Sequence, residues 1–127
     1  MRTAINAITF KDGKLLLVKK KDVWILPGGK PEGDESDIDC LMRECKEEIP
    51  NSIFIIKDKW KDFIGKTPNT GDLLNAKTYF AEISGDVSPS GEITESKFVS
   101  VSEAKYLKLS EITNKIVDSL IEEKIFI

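Results

Sequence analysis

Three glutamates, Glu44, Glu47 and Glu48, stand at i, i+3 and i+4. In a helix this spacing projects all three carboxylates from one face. Left alone, such like-charged neighbours repel by a few tenths of a kcal/mol per pair. A hard divalent cation, Mg2+ or Mn2+, reverses the sign, because it prefers oxygen ligands and a small number of carboxylates. The cluster therefore reads as a metal site. Arg43, immediately before it, is placed to grip a carboxylate with both arms of its guanidinium, and Glu35 at the head of the same helix is the expected partner. Gly28 and Gly29 allow a strained loop whose backbone carbonyls point toward the cleft.

The elements that must position these groups are legible around them. Ile38, Leu41, Met42, Cys45 and Ile49 recur at helical spacing and predict an apolar stripe on the face opposite the carboxylates. Ser36 is the expected N-cap, with Asp39 three residues on, and Pro50 ends the helix, so a helix is predicted over residues 36–49. Upstream, Thr3 to Phe10 alternates apolar and polar, Asp12-Gly13 turns the chain, and Lys14 to Lys20 returns as the second arm of a hairpin. Val23 to Leu26 predicts a short strand running into Pro27-Gly28-Gly29. Downstream, Ser52 to Ile64, Ala76 to Ser84 and Lys97 to Val101 predict strands, and Ser102 opens a helical turn. Ile112, Ile116, Val117, Leu120 and Ile121 give a last helix its apolar face, capped by Ser110. The expectation is α+β, a mixed sheet flanked by helices, in one domain over residues 1–127.

Composition narrows the function classes. Of 127 residues, 32% are charged and 40% hydrophobic, which suits a globular chain and argues against disorder. No apolar run approaches membrane-spanning length, the polar start lacks a signal-peptide core, and a cytoplasmic setting follows by default. With no histidine, and two cysteines five apart on one predicted helix, neither zinc nor a disulfide is expected. Residues 31–50 hold eight acids against Arg43 and Lys46, a net −6, which leaves +3 on the rest of a chain whose total is −3. An anionic substrate approaching that segment needs metal ions between. Lys19, Lys20 and Lys21 are the nearest basic run that could help hold phosphates. No basic stripe with interleaved aromatics supports binding of duplex nucleic acid.

Gly29, Glu35, Arg43, Glu44, Glu47 and Glu48 stand in the register of a longer pattern: Gly, five residues, Glu, seven residues, Arg-Glu, apolar, any, Glu-Glu, any, Gly, apolar. In this the chain resembles the Nudix hydrolases. Trp24-Ile-Leu-Pro27-Gly28 resembles the segment that leads into their box, while Pro50 and Asn51 depart from its last Gly and apolar residue. The resemblance implies an α/β/α sandwich. It also implies Mg2+-dependent hydrolysis of a diphosphate linkage in a nucleoside diphosphate joined to another group. The catalytic set it implies is Glu44, Arg43 and Glu47. The metal set comprises backbone carbonyls at Gly28 and Gly29, with Glu44, Glu47, Glu48 and a carboxylate from a loop late in the chain. Glu92 and Glu95 are candidates for that last ligand, with Glu95 favoured. Glu44 is either a ligand or the base that activates water, and Glu35 supports Arg43. No serine, cysteine or histidine nucleophile system is evident, so direct attack by water is the simplest mechanism.

For the substrate, Trp24, Trp60, Tyr79 and Phe80 are aromatic candidates for stacking on a base, although strand aromatics usually belong to a core. Lys19 is a candidate for phosphate, and Asn69 and Asn75 for a base edge. Nucleoside triphosphates, including oxidised purine nucleotides, come first. ADP-ribose or dinucleoside polyphosphates are the alternative, and a catalytically silent nucleotide-binding domain is the reading that Pro50 keeps open. A homodimer is also left open.

Overall fold

The computed structural model describes residues 1–67 and 70–127, so Asn69 lies outside the described residues. Strand β1 (Arg2–Ile8) is buried on both sides, with Ile5 and Ala7 in one core cluster and Ala4 and Ile8 in another. That is the pattern of a central strand. It pairs antiparallel with the two-residue β5 (Gly28–Gly29) and parallel with β7 (Leu73–Gly85), which pairs antiparallel with β6 (Ser52–Lys66). The mixed sheet thus runs β5-β1-β7-β6. A second, antiparallel sheet is organised on β3 (Lys14–Lys20), which pairs with β2 (Phe10–Lys11), β4 (Val23–Ile25) and β8 (Ile93–Val99).

Helix α1 (Asp37–Glu48) covers one face of the mixed sheet through Cys40, Leu41 and Cys45 packed with Ile5, Ala7 and Ala81. On the other face lie α3 (Glu111–Glu122) and the second sheet, joined in a core that includes Ile8, Leu15, Leu17, Ile116 and Leu120. A short α2 (Val101–Tyr106) links β8 to the lead into α3. The result is α+β, a mixed sheet and an antiparallel sheet flanked by helices, the class the resemblance implies.

Several expected boundaries move, each for a physical reason. The strand expected over Thr3 to Phe10 breaks at Thr9, whose carbonyl accepts from Leu16 N–H at 2.9 Å as the chain passes from one sheet to the other. Asp12 (φ 52°) and Gly13 (φ 77°) make the expected turn. The last strand starts at Ile93 rather than Lys97, because pairing with β3 outweighs its polar composition. The following helix is capped by Ser100, not Ser102, through a reciprocal capping box with Glu103.

The buried face of α1 also differs from the expected stripe. Leu41, Cys45 and Ile49 are buried, but Ile38 (42% exposed) and Met42 (40%) face outward, and Cys40 and Glu48 take their places inside. At about 100° per residue, Leu41 and Glu48 project within about 20° of one another, so Glu48 belongs to the inward face. Ser36 does cap the helix, its Oγ accepting from Asp39 N–H at 3.1 Å, and Ile49 leaves it at φ −139° just before Pro50. Both cysteines are free and buried.

Candidate active site

The loop before α1 fits the acids because it carries no side chains where they lie. Gly28 has φ +140°, and a Cβ built on it would stand 2.0 Å from the Ile5 carbonyl oxygen, so only glycine is accommodated. Its N–H donates to Glu48 Oε1 at 2.9 Å. A Cβ on Gly29 would stand 2.4 Å from the Glu44 carboxyl carbon. The two glycines therefore let two carboxylates of α1 rest against the backbone of β5, itself held by β1 through the pairs Ile5 with Gly29 and Asn6 with Gly28. The Gly29 carbonyl accepts a long contact from Cys40 Sγ at 3.6 Å.

Arg43 organises the exposed side of the cluster. Its Nε and Nη2 donate to the two oxygens of Glu35 at 2.7 and 2.9 Å, a bidentate grip, while Nη2 also reaches the Lys30 carbonyl at 3.1 Å. Nη1 donates to Glu44 at 2.9 Å and to Glu47 at 3.3 Å. Glu35 accepts a further bond from Glu32 N–H at 2.8 Å. Chiefly through the Arg43 bonds, the Glu35 carboxyl is held down at about 2. Burial pushes Glu44 up, against the Arg43 contact that pulls it down. Burial also pushes Glu48 up to about 8, the single Gly28 N–H only partly opposing it.

Glu48 is thus a buried carboxyl (7% exposed) with no ion-pair partner among the described residues. Such a group needs a compensating positive charge to ionise near neutral pH. With Glu44 and Glu47 beside it, the donors are hard oxygens without imidazole or thiolate, a set that suits Mg2+ or Mn2+. In the positions described, no three acids converge into a ready cage among the described residues. Arg43 spans Glu44 and Glu47, and Glu48 turns toward Gly28.

A cleft of about 760 Å³ opens in front of Gly28, Gly29, Arg43, Glu44 and Glu47. Lys20, Lys21, Lys108 and Glu92 also line it. Glu92, in the turn before β8, is ion-paired with Lys20 at 2.9 Å. That turn leans on α1, where Ser90 N–H donates to the Glu48 carbonyl at 2.8 Å. Acidic and basic side chains therefore line one space, a composition able to hold cations and phosphate oxygens together.

Four candidates lie away from this space. Glu95 is on β8 rather than in a loop, paired with Lys19 across the sheet at 3.3 Å, and neither lines the cleft. Trp24 is 7% exposed, and its backbone joins β4 to the lead into α3 through Lys108 and Ser110. Asn75 sits within β7, opposite Ile64 of β6, and does not line the cleft. The other aromatics are structural: Trp60 packs on Phe63 and Phe80 at 5.6 Å, and Tyr79 Oη donates to Asp37 at 2.7 Å at the start of α1. Conversely, Asn6 and Lys108 line the cleft without having been singled out. For Asn6 a signal existed, a lone amide in the apolar run Ala4-Ile5-Asn6-Ala7-Ile8.

Comparison with known proteins adds a NUDIX domain profile that matches residues 1–120. The mRNA-decapping enzyme subunit 2 of Saccharomyces cerevisiae is 55% identical over 38 residues, 28% of this chain and 4% of that protein. The uncharacterized Nudix hydrolase YvcI of Bacillus subtilis is 28% identical over 99 residues, 76% of this chain and 61% of that protein. The chain thus spans less than two thirds of either relative. Among solved structures, a MutT protein from Methanosarcina mazei superposes with TM-score 0.82 at 22% identity, covering 97% of this chain and 94% of that one. An ADP-ribose pyrophosphatase from Streptococcus suis superposes with TM-score 0.73 at 23% identity, covering 94% and 87%. At such identities these two likenesses speak for the fold.

Proposed function

This chain belongs to the Nudix hydrolase family, and from that premise we propose that it hydrolyses the diphosphate linkage of a nucleoside diphosphate joined to a further group, nucleoside triphosphates first. The observation that carries the reading is one cleft lined both by Glu44 and Glu47, with the buried Glu48 beside them in α1, and by Lys20, Lys21 and Lys108. Glu44, Glu47 and Glu48 would hold Mg2+ or Mn2+, and Glu92, already in the cleft, is better placed than Glu95 to add a carboxylate. A divalent ion held there would supply the charge that lowers the pKa of water and neutralises phosphoryl oxygens.

The chain's own groups do the rest. Arg43 fixes Glu44 at 2.9 Å while its bidentate hold on Glu35 keeps the guanidinium from swinging out. Where Glu47 and Glu48 hold the ion without it, Glu44, which lines the cleft, would be the base that takes a proton from attacking water. Lys20 and Lys21, which line the same cleft, would meet phosphate charge. A cytoplasmic setting and a homodimer belong to the same reading as expectations.

ADP-ribose or dinucleoside polyphosphate is the second substrate reading. A Mg2+-dependent screen for released phosphate and pyrophosphate over nucleoside triphosphates, ADP-ribose and dinucleoside polyphosphates separates the two. Release from triphosphates is the expected result. Release only from ADP-ribose or dinucleoside polyphosphates moves the assignment to the second reading, and release from none contradicts both.

A further inference from the structure

Lys20 is delivered to the cleft by the strand that carries it. Successive side chains of a strand leave opposite faces, so Lys19 pairs with Glu95 outside the cleft while Lys20 lines it. The pairing of β3 with β8 slips between these two lysines, from Lys19 opposite Glu95 to Lys20 opposite Ile93, and the chain then turns at Lys21 with φ 57°. Burial raises the Glu44 and Glu48 carboxyls, and the charge of Lys20 is among the influences that pull both back down. The ammonium of Lys20 thus acts on the acids of α1, although its ion-pair partner is elsewhere.

That partner is Glu92, at 2.9 Å. The turn that carries Glu92 is fastened to the end of α1. Ser90 N–H donates to the Glu48 carbonyl, and a Cβ on Gly91 would stand 3.3 Å from the Glu47 carbonyl oxygen. The backbone is therefore fixed beside the acids, while the Glu92 side chain is 78% exposed and has Lys20 as its ion-pair partner among the described residues. A carboxylate in this place has two uses, as the partner of Lys20 or as one more oxygen ligand for a cation at Glu44 and Glu47. The lysine and the cation want the same group.

We infer that Lys20 is a positioning residue that competes with the divalent ion for Glu92, and so sets how tightly the acids of α1 and the Glu92 turn together hold that ion. This rests on the hydrolase reading above and adds to it a residue that controls the ion without touching it. An exposed ion pair shifts an equilibrium by up to about fivefold, enough to bias the exchange of Glu92 between its two partners and too little to block it.

Mn2+ binding, followed by the electron paramagnetic resonance signal of the free ion, tests this without turnover. Both side chains of the pair are exposed, so replacing them leaves the core untouched. Lys20→Gln should tighten Mn2+ by about fivefold, while Lys20→Arg, which keeps the charge and the partner, should stay within about twofold of wild type. Lys21→Gln removes the same charge from the same cleft and should also stay within about twofold. In a Glu92→Gln background, Lys20→Gln should add less than about twofold. Unchanged or weaker binding in Lys20→Gln overturns the inference. An equal gain in Lys21→Gln overturns it too, as a general effect of charge, and so does a gain that survives Glu92→Gln. Those results leave the hydrolase reading standing, whereas no Mn2+ binding by the wild type or any variant sinks both.

Discussion

Glu48 Oε1 accepts the backbone N–H of Gly28 at 2.9 Å from inside the protein, across 20 residues of sequence. The bond fixes α1 to the glycine loop, yet it leaves the carboxyl pushed up to about 8 by burial. A carboxyl that binds its proton more tightly folded than unfolded makes stability fall as pH rises, here from the ordinary 4.5 to about 8. Without metal, Glu48→Gln should therefore match the wild type in melting temperature near pH 4 and exceed it by several degrees at pH 8. Mg2+ should raise the wild type more than the variant. Thermal unfolding across pH, with chelator and with Mg2+, checks this. A variant less stable at pH 8 in chelator would mean the ionised carboxylate is structural.

The bidentate hold of Arg43 on Glu35 sets a second expectation. Glu35 is held at about 2, below its ordinary 4.5. A depressed carboxyl contributes stability that is present above 4.5 and lost as pH falls toward 2. Glu35→Gln should flatten that acid limb of the melting curve. Arg43→Lys cannot fork onto two oxygens, and with Glu44 released, turnover should fall by about 10² or more. An Arg43→Lys variant of wild-type activity would reduce the network to a surface ion pair.

Gly29 tests whether the position of Glu44 matters. A methyl group there would overlap the Glu44 carboxyl, at 2.4 Å from its carbon. Gly29→Ala should displace Glu44 and cut turnover by about 10², with far-ultraviolet circular dichroism unchanged. Gly33→Ala is the control in the same loop, since nothing lies within 4 Å of an added Cβ, although its φ of +54° makes some loss of stability expected. If both variants keep full activity, Glu44 does not need the place the glycine reserves for it.

The register of Gly29, Glu35, Arg43 and the three glutamates could be read from sequence because each residue type is set by chemistry rather than by burial. Which side of α1 enters the core could not. Ile38 and Met42 are as apolar as Leu41 and Cys45, and the choice was made by partners far along the chain, the Gly28 N–H and the sheet beneath. At Pro50 the helix ends without a left-handed residue: Ile49 exits at φ −139°, a geometry that accommodates the proline. The late acid was read as belonging to a loop, whereas Glu95 is in β8 and Glu92 in the turn before it. Pairing with β3, a non-local contact, decides that boundary.

The central claim is that the three glutamates of α1 are kept for chemistry and not for folding. Its most direct test is the turnover of Glu44→Gln, Glu47→Gln and Glu48→Gln with Mg2+, each beside its metal-free unfolding. Removing a general base costs about 10² to 10⁴ in rate, and removing a metal ligand should cost a comparable factor. Each variant should lose that much activity while remaining at least as stable as the wild type in chelator, because the charge repulsion within the cluster is relieved. Full activity in all three variants, or unfolding of all three, would contradict the account.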